Sequence, residues 1–179
     1  SYLSNYLMAI TNKKASMRSL KNARQSGNKQ KLFMSEIQLF FITDITNVVF
    51  AYEHPLNEEW ENKLLIKNHY TYIDDKLLRY LGDSLEWVNF SVDEKDVVYQ
   101  GLDFEGVNTL YPNQITSFKK LILAWIVLFE NANQTFDLNR FNQTQTFDKS
   151  TVLTQLYQLV EFCQIVENNP NKCLVHIGL

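Results

Sequence analysis

Glycine and proline are scarce in this chain, five and three among 179 residues. Tight turns need them, glycine for positive φ and proline for a preset φ. Their scarcity argues against an all-β sandwich or barrel. Cysteine is scarcer still. Cys163 and Cys173 have no metal-ligand spacing and read as two thiols of a reducing compartment. Acidic residues are missing from the head: the first is Glu36. No apolar run reaches membrane-spanning length; the longest, Leu121 to Phe129, is far too short. No signal-peptide core is recognisable in the first residues. No glycine-rich phosphate loop, Gly-x-Ser-x-Gly elbow or His-Glu-x-x-His motif occurs. These absences leave the expectation of a cytoplasmic protein with no transmembrane segment and no catalytic signature.

What is present is apolar bulk and a charge asymmetry. Apolar residues make up 45% and charged residues 21%, an ordinary globular balance. Twelve Phe, nine Tyr and three Trp supply side chains that bury large areas. The formal charge of −3 hides seven basic residues ahead of Glu36 and a strongly acidic remainder. Opposite charges on one chain either pair internally or advertise two different surfaces.

Apolar spacing suggests helices. Residues 2–24 read as an amphipathic helix with Lys13, Lys14, Arg18, Lys21 and Arg24 on one basic face. Phe33, Ile37, Phe40, Phe41, Ile45, Val48, Val49 and Tyr52 trace a wide stripe over 30–52. Its β-branched and aromatic content suits a strand, but its length favours a helix. A third helix is expected over 57–81, capped by Asn57. Capping boxes at Asp83–Glu86 and Ser91–Glu94 predict two short helices, the first running to about Phe90 and the second to about Gln100. Residues 113–132 read as the most apolar helix, either central or at an interface between copies. The Asn/Gln/Thr-rich segment 133–147, with Gln-Thr-Phe-Asp at 134–137 and again at 145–148, reads as a loop or pair of turns. Residues 149–167 make the last long helix, and the tail through His176 is left as a strand, helix start or docked extension. The expected fold is therefore all-α: a single-domain bundle, 1–179, of five to six long helices plus short capped helices. The basic helix of 1–27 is packed on the bundle or projects from it.

Few positions carry candidate chemistry. Asp44 shares a helical face with Phe40 and Phe41, so it is either a rim carboxylate paired with a Lys or Arg or an interior base. His69 lies one turn from Leu65 and Ile73. An isolated imidazole there is more often a hydrogen-bonded core residue than a ligand. The chain has no Glu-x-x-His pair of the kind helical di-metal sites use, so no metal or other cofactor is expected. Cys173 and His176 would pair at i, i+3 only on a helix, and no third group orients them.

The preferred reading is a non-catalytic helical interaction module that binds a macromolecular, protein partner. Its surface would be the acidic cluster Asp93, Glu94, Asp96, Asp103 and Glu105, with Trp87 and Phe104 as aromatic anchors. The alternative is a helical-bundle enzyme or a small-ligand or metal-binding protein with an interhelical pocket around Asp44, Glu53, His54, His69 and Tyr72. Nucleic-acid binding through the basic face is a third, less favoured reading, because no nucleic-acid motif accompanies it. Homo-oligomerisation through residues 115–129 is a further expectation.

Overall fold

A computed structural model describes residues 37–48, 69–91, 98–140 and 143–178. The basic face, Glu53, His54, Asn57 and the acids Asp93, Glu94 and Asp96 lie outside the described residues. The fold described here belongs to the unit Ile37–Leu179.

The architecture is mixed α/β, which overturns the expected all-α helical bundle. Its centre is a six-stranded sheet in which every neighbouring pair is antiparallel. The strands are β1 (Ile37–Asp44), β2 (Tyr70–Asp74), β3 (Asn89–Ser91), β4 (Val98–Gln100), β5 (Val107–Leu110) and, after the helices, β8 (Lys172–Gly178). Their order across the sheet is β2-β1-β8-β5-β3-β4. β6 (Thr135–Arg140) and β7 (Gln143–Asp148) form a separate two-stranded hairpin. Four α-helices are found among the described residues: α1 (Asp75–Tyr80), α2 (Gly82–Leu85), α3 (Pro112–Glu130) and α4 (Lys149–Glu167).

The stretch expected as the helix of 30–52 contains the central strand β1. Residues Gln38–Thr43 are buried without a break. A strand covered on both faces loses its apolar/polar alternation and reads as a continuous apolar run. β8 and β5 show the same unbroken burial. Two apolar clusters account for it. Phe40, Ile42, Ile73, Phe90, Leu110 and Leu174 face the helices and join Phe118, Ile122, Trp125, Leu156 and Leu159. Leu39, Phe41, Val107, Cys173, Val175 and Ile177 form a second cluster on the opposite face.

The expected helix of 57–81 contains β2 before α1 begins. Asp74 caps α1, its carboxylate accepting hydrogen bonds from the amides of Lys76 and Leu77. Neither capping box acts as expected: α2 starts at Gly82, with Leu81 as its N-cap and no side-chain cap, and stops at Leu85, while Phe90, expected at the end of that helix, lies on β3. The second is overturned: Ser91 ends β3 and Val98–Gln100 is β4, paired with it. The helices expected over 113–132 and 149–167 stand as α3 and α4, packed on each other and on one face of the sheet. Asp148 caps α4 through the Thr151 amide. The segment expected as a loop, 133–147, is instead largely the β6–β7 hairpin.

The scarcity of glycine and proline argued only against an all-β sandwich or barrel, and among the described residues helices make the connections from β2 to β3 and from β5 to β8. The chain leaves the centre at β1, runs outward to β2, crosses by α1 and α2 to β3 and β4, and returns to β5. It then passes through α3, the hairpin and α4 before β8 fills the gap between β1 and β5.

Candidate functional site

The pairing registers set the starts of β1, β4 and β5 at the same end of the sheet as the finishes of β2, β3 and β8. That end gathers Asp74, Ser91, Val98, Val107 and Gly178 with the start of α1, whereas Asn89 and Gln100 lie at the other end, and the loop Gly101–Gly106 runs from there back to Val107. Two groupings of side chains stand out among the described residues.

The first is a buried polar chain on the helical face. His176 of β8 is opposite Asn108 of β5 and Phe40 of β1, and its ring is buried. The Asn108 side-chain amide nitrogen lies 2.9 Å from Nδ1. An amide nitrogen only donates, so Nδ1 accepts and the ring proton sits on Nε2. Nε2 donates to Gln38 Oε1 at 2.6 Å. Gln38 Nε2 donates in turn to Asp75 Oδ1 at 2.5 Å, and Arg79 Nε donates to both oxygens of that carboxylate. Asn108 is oriented independently, donating to the Asp103 carbonyl and accepting from the Asp103 amide. Desolvation holds the His176 pKa down to about 3, so the ring is neutral at physiological pH. Both ring nitrogens are engaged, so neither has a lone pair or proton to offer a substrate. The arrangement ties the Leu102–Gly106 loop and α1 to the middle strands.

Gly178 permits this loop to approach. A Cβ there would overlap the Phe104 carbonyl oxygen, and the Gly178 amide donates to the Gly106 carbonyl. Phe104 is half-buried, with the Arg79 guanidinium 4.8 Å over its ring. It is therefore a support under the loop rather than a free anchor.

The second grouping is exposed. Asp103 and Glu105 are exposed on the loop, and Asp83 and Glu86 on and just after α2. Trp87, next to Glu86 and two residues before β3, has 76% of its surface accessible, and Tyr80 at the end of α1 is 46% accessible. The Trp87 amide donates to the Ser84 carbonyl at 3.3 Å, and the residues around it are tied down: Trp125 Nε1 donates to Ser84 Oγ at 3.0 Å, anchoring α2 to α3, and the Gly101 amide donates to the Val88 carbonyl. Gly101 makes the turn at φ +91°, beside the Glu86 carboxylate. Between Arg79 and Lys119 the sequence has seven acidic residues and a single basic one, Lys95. Edge strand β4 adds Val98 and Tyr99, both exposed. Among the described residues no three His, Cys, Asp or Glu side chains come together to hold a metal ion.

The residues of the alternative pocket that are described do not line an interior. Asp44 is an exposed carboxylate 3.2 Å from Lys172 of the adjoining strand. His69 is exposed, one residue before β2, and Tyr72 is exposed on β2. Cys173 and His176 point to opposite faces, as residues three apart on a strand must. The Cys163 and Cys173 thiols are both free and buried, and burial pushes each up to about 12. Sequence reasoning passed over Gln38 and Asn108. Polar amides inside apolar strands were the only available signal, and it surfaces only once the strands are recognised.

Comparison of the chain with protein-family models, with curated proteins and with solved structures finds no match.

Proposed function

We propose that this is a non-catalytic binding module that captures a basic protein segment on the acidic surface around Trp87. The observation that carries the reading is Trp87, an exposed indole next to the exposed Glu86, whose carboxylate sits against Gly101 at the start of the loop that carries the exposed Asp103 and Glu105. An exposed indole beside carboxylates suits the aromatic anchor of an interface, where tryptophan is enriched. The surrounding acids would steer a Lys/Arg-rich chain toward it and reject acidic competitors. β4, at one margin of the sheet, offers backbone groups to an extended segment laid beside Val98 and Tyr99. His176, Gln38, Asn108 and Asp75 support the reading as the brace that keeps the loop and α1 in register.

The test is a titration of the isotope-labelled protein with an extended peptide of alternating lysine and apolar residues. Amide shifts should move at residues 83–87 and 98–105 and fade as salt is raised. Trp87→Ala and the pair Asp103→Lys with Glu105→Lys should abolish the shifts while leaving the melting temperature within a few degrees. Shifts of equal size in those variants, or shifts centred elsewhere, sink the proposal.

A further inference from the structure

The outward side of α3 is a second surface, independent of the acidic surface around Trp87. Ile115, Phe118, Ile122, Trp125 and Phe129 turn inward and are buried. The other side of the same helix exposes Leu123 at 43%, Val127 at 60% and Leu128 at 54%, with exposed Ala124 between them. At 100° per residue Ala124 and Val127 lie along one line, flanked by Leu123 and Leu128, and Lys120 and Asn131 extend that line at its two ends.

We infer that this stripe docks on the same stripe of a second copy of this chain, the two α3 helices running antiparallel. Self-complementarity points to that occupant. Turning the helix end for end about its midpoint between Trp125 and Ile126 sets Ala124 of each copy against Val127 of the other, a small side chain facing a larger one. The same rotation carries Lys120 onto the last turn of the other helix. There it meets the exposed carboxylate of Glu130 and the negative end of the helix dipole. A parallel arrangement would instead place Lys120 beside Lys120 and Glu130 beside Glu130, which is repulsive at both ends. A two-fold pairing of this kind is the commonest closed symmetry for identical subunits. The patch is one helix wide, so the dimer is weak and concentration-dependent.

Light scattering after size exclusion, run from micromolar to near-millimolar protein, reads the outcome. The apparent mass should rise from 21.1 kDa toward twice that value. Val127→Glu should hold it at the monomer, and the melting temperature of that variant should stay near the parent's. Lys120→Glu alone and Glu130→Lys alone should each weaken association about tenfold, and the two together should restore it. A parent that stays monomeric throughout overturns the inference. So does self-association that Val127→Glu leaves intact, or single charge reversals that the double variant does not rescue.

Discussion

Phe136 and Phe147 face each other across the β6–β7 hairpin, ring centroids 5.8 Å apart and planes 23° from parallel. Each is the phenylalanine of one Gln-Thr-Phe-Asp copy. The register makes the duplication nearly symmetric: Thr135 opposes Asp148 and Asp137 opposes Thr146. The Thr146 hydroxyl donates to Asp137 at 2.6 Å. Phe129 of α3 stacks on Phe136 at 5.3 Å, so the aromatic column runs from the hairpin into the core. The repeat thus serves a paired hairpin and not a loop.

That column predicts coupling. Phe136→Leu and Phe147→Leu should each destabilise the protein, and the double variant should lose less than their sum. An interaction of about 0.5–1.5 kcal/mol is expected from a stacked pair. Urea denaturation of the four proteins measures it, and strict additivity would falsify the proposed stacking.

The buried imidazole predicts acid sensitivity. The His176 pKa falls to about 3 in the fold, from about 6.5 when free. The unfolded chain therefore binds a proton that the native state refuses. The contribution is fully present above about pH 6.5 and is lost as pH falls toward 3, at a slope of about 1.4 kcal/mol per unit. Stability measured against pH should show this slope, and His176→Gln should flatten it. Nitrogen chemical shifts should report a neutral ring protonated at Nε2 throughout pH 5 to 8 in the native protein.

Gly178 predicts a steric penalty. Gly178→Ala drives a methyl group into the Phe104 carbonyl oxygen, a backbone atom that moves only with its loop. A loss of about 1–3 kcal/mol is expected by chemical denaturation. Gly106→Ala meets only the Asp103 side chain, which can swing aside, and should cost less. Equal losses would show the loop to be freer than its contacts imply.

The thiols predict latency. With both pKa values pushed up to about 12 by burial, neither cysteine carries thiolate at pH 8. Iodoacetamide should leave Cys163 and Cys173 unmodified in the native protein and label both in denaturant, as read by intact mass. Rapid labelling of either in native buffer would contradict its placement.

Of the expected partner surface, Trp87, Asp103 and Glu105 are exposed, whereas Phe104 is drawn under Arg79, and Asp93, Glu94 and Asp96 lie outside the described residues. Asp44 proved to be a rim carboxylate paired with a lysine, although on strands and not on helices. The polar chain through His176 was not legible, because it joins residues from four elements far apart in sequence.

By itself the sequence determined what local interactions can settle: two long amphipathic helices, α3 and α4, and an acidic stretch between Arg79 and Lys119. The tertiary structure alone decided that β1, β5 and β8 are strands. Burial on both faces erases the two-residue rhythm that identifies a strand. The strands that hold β1, moreover, lie beyond local reach: β2 on one side and, about 130 residues away, β8 on the other.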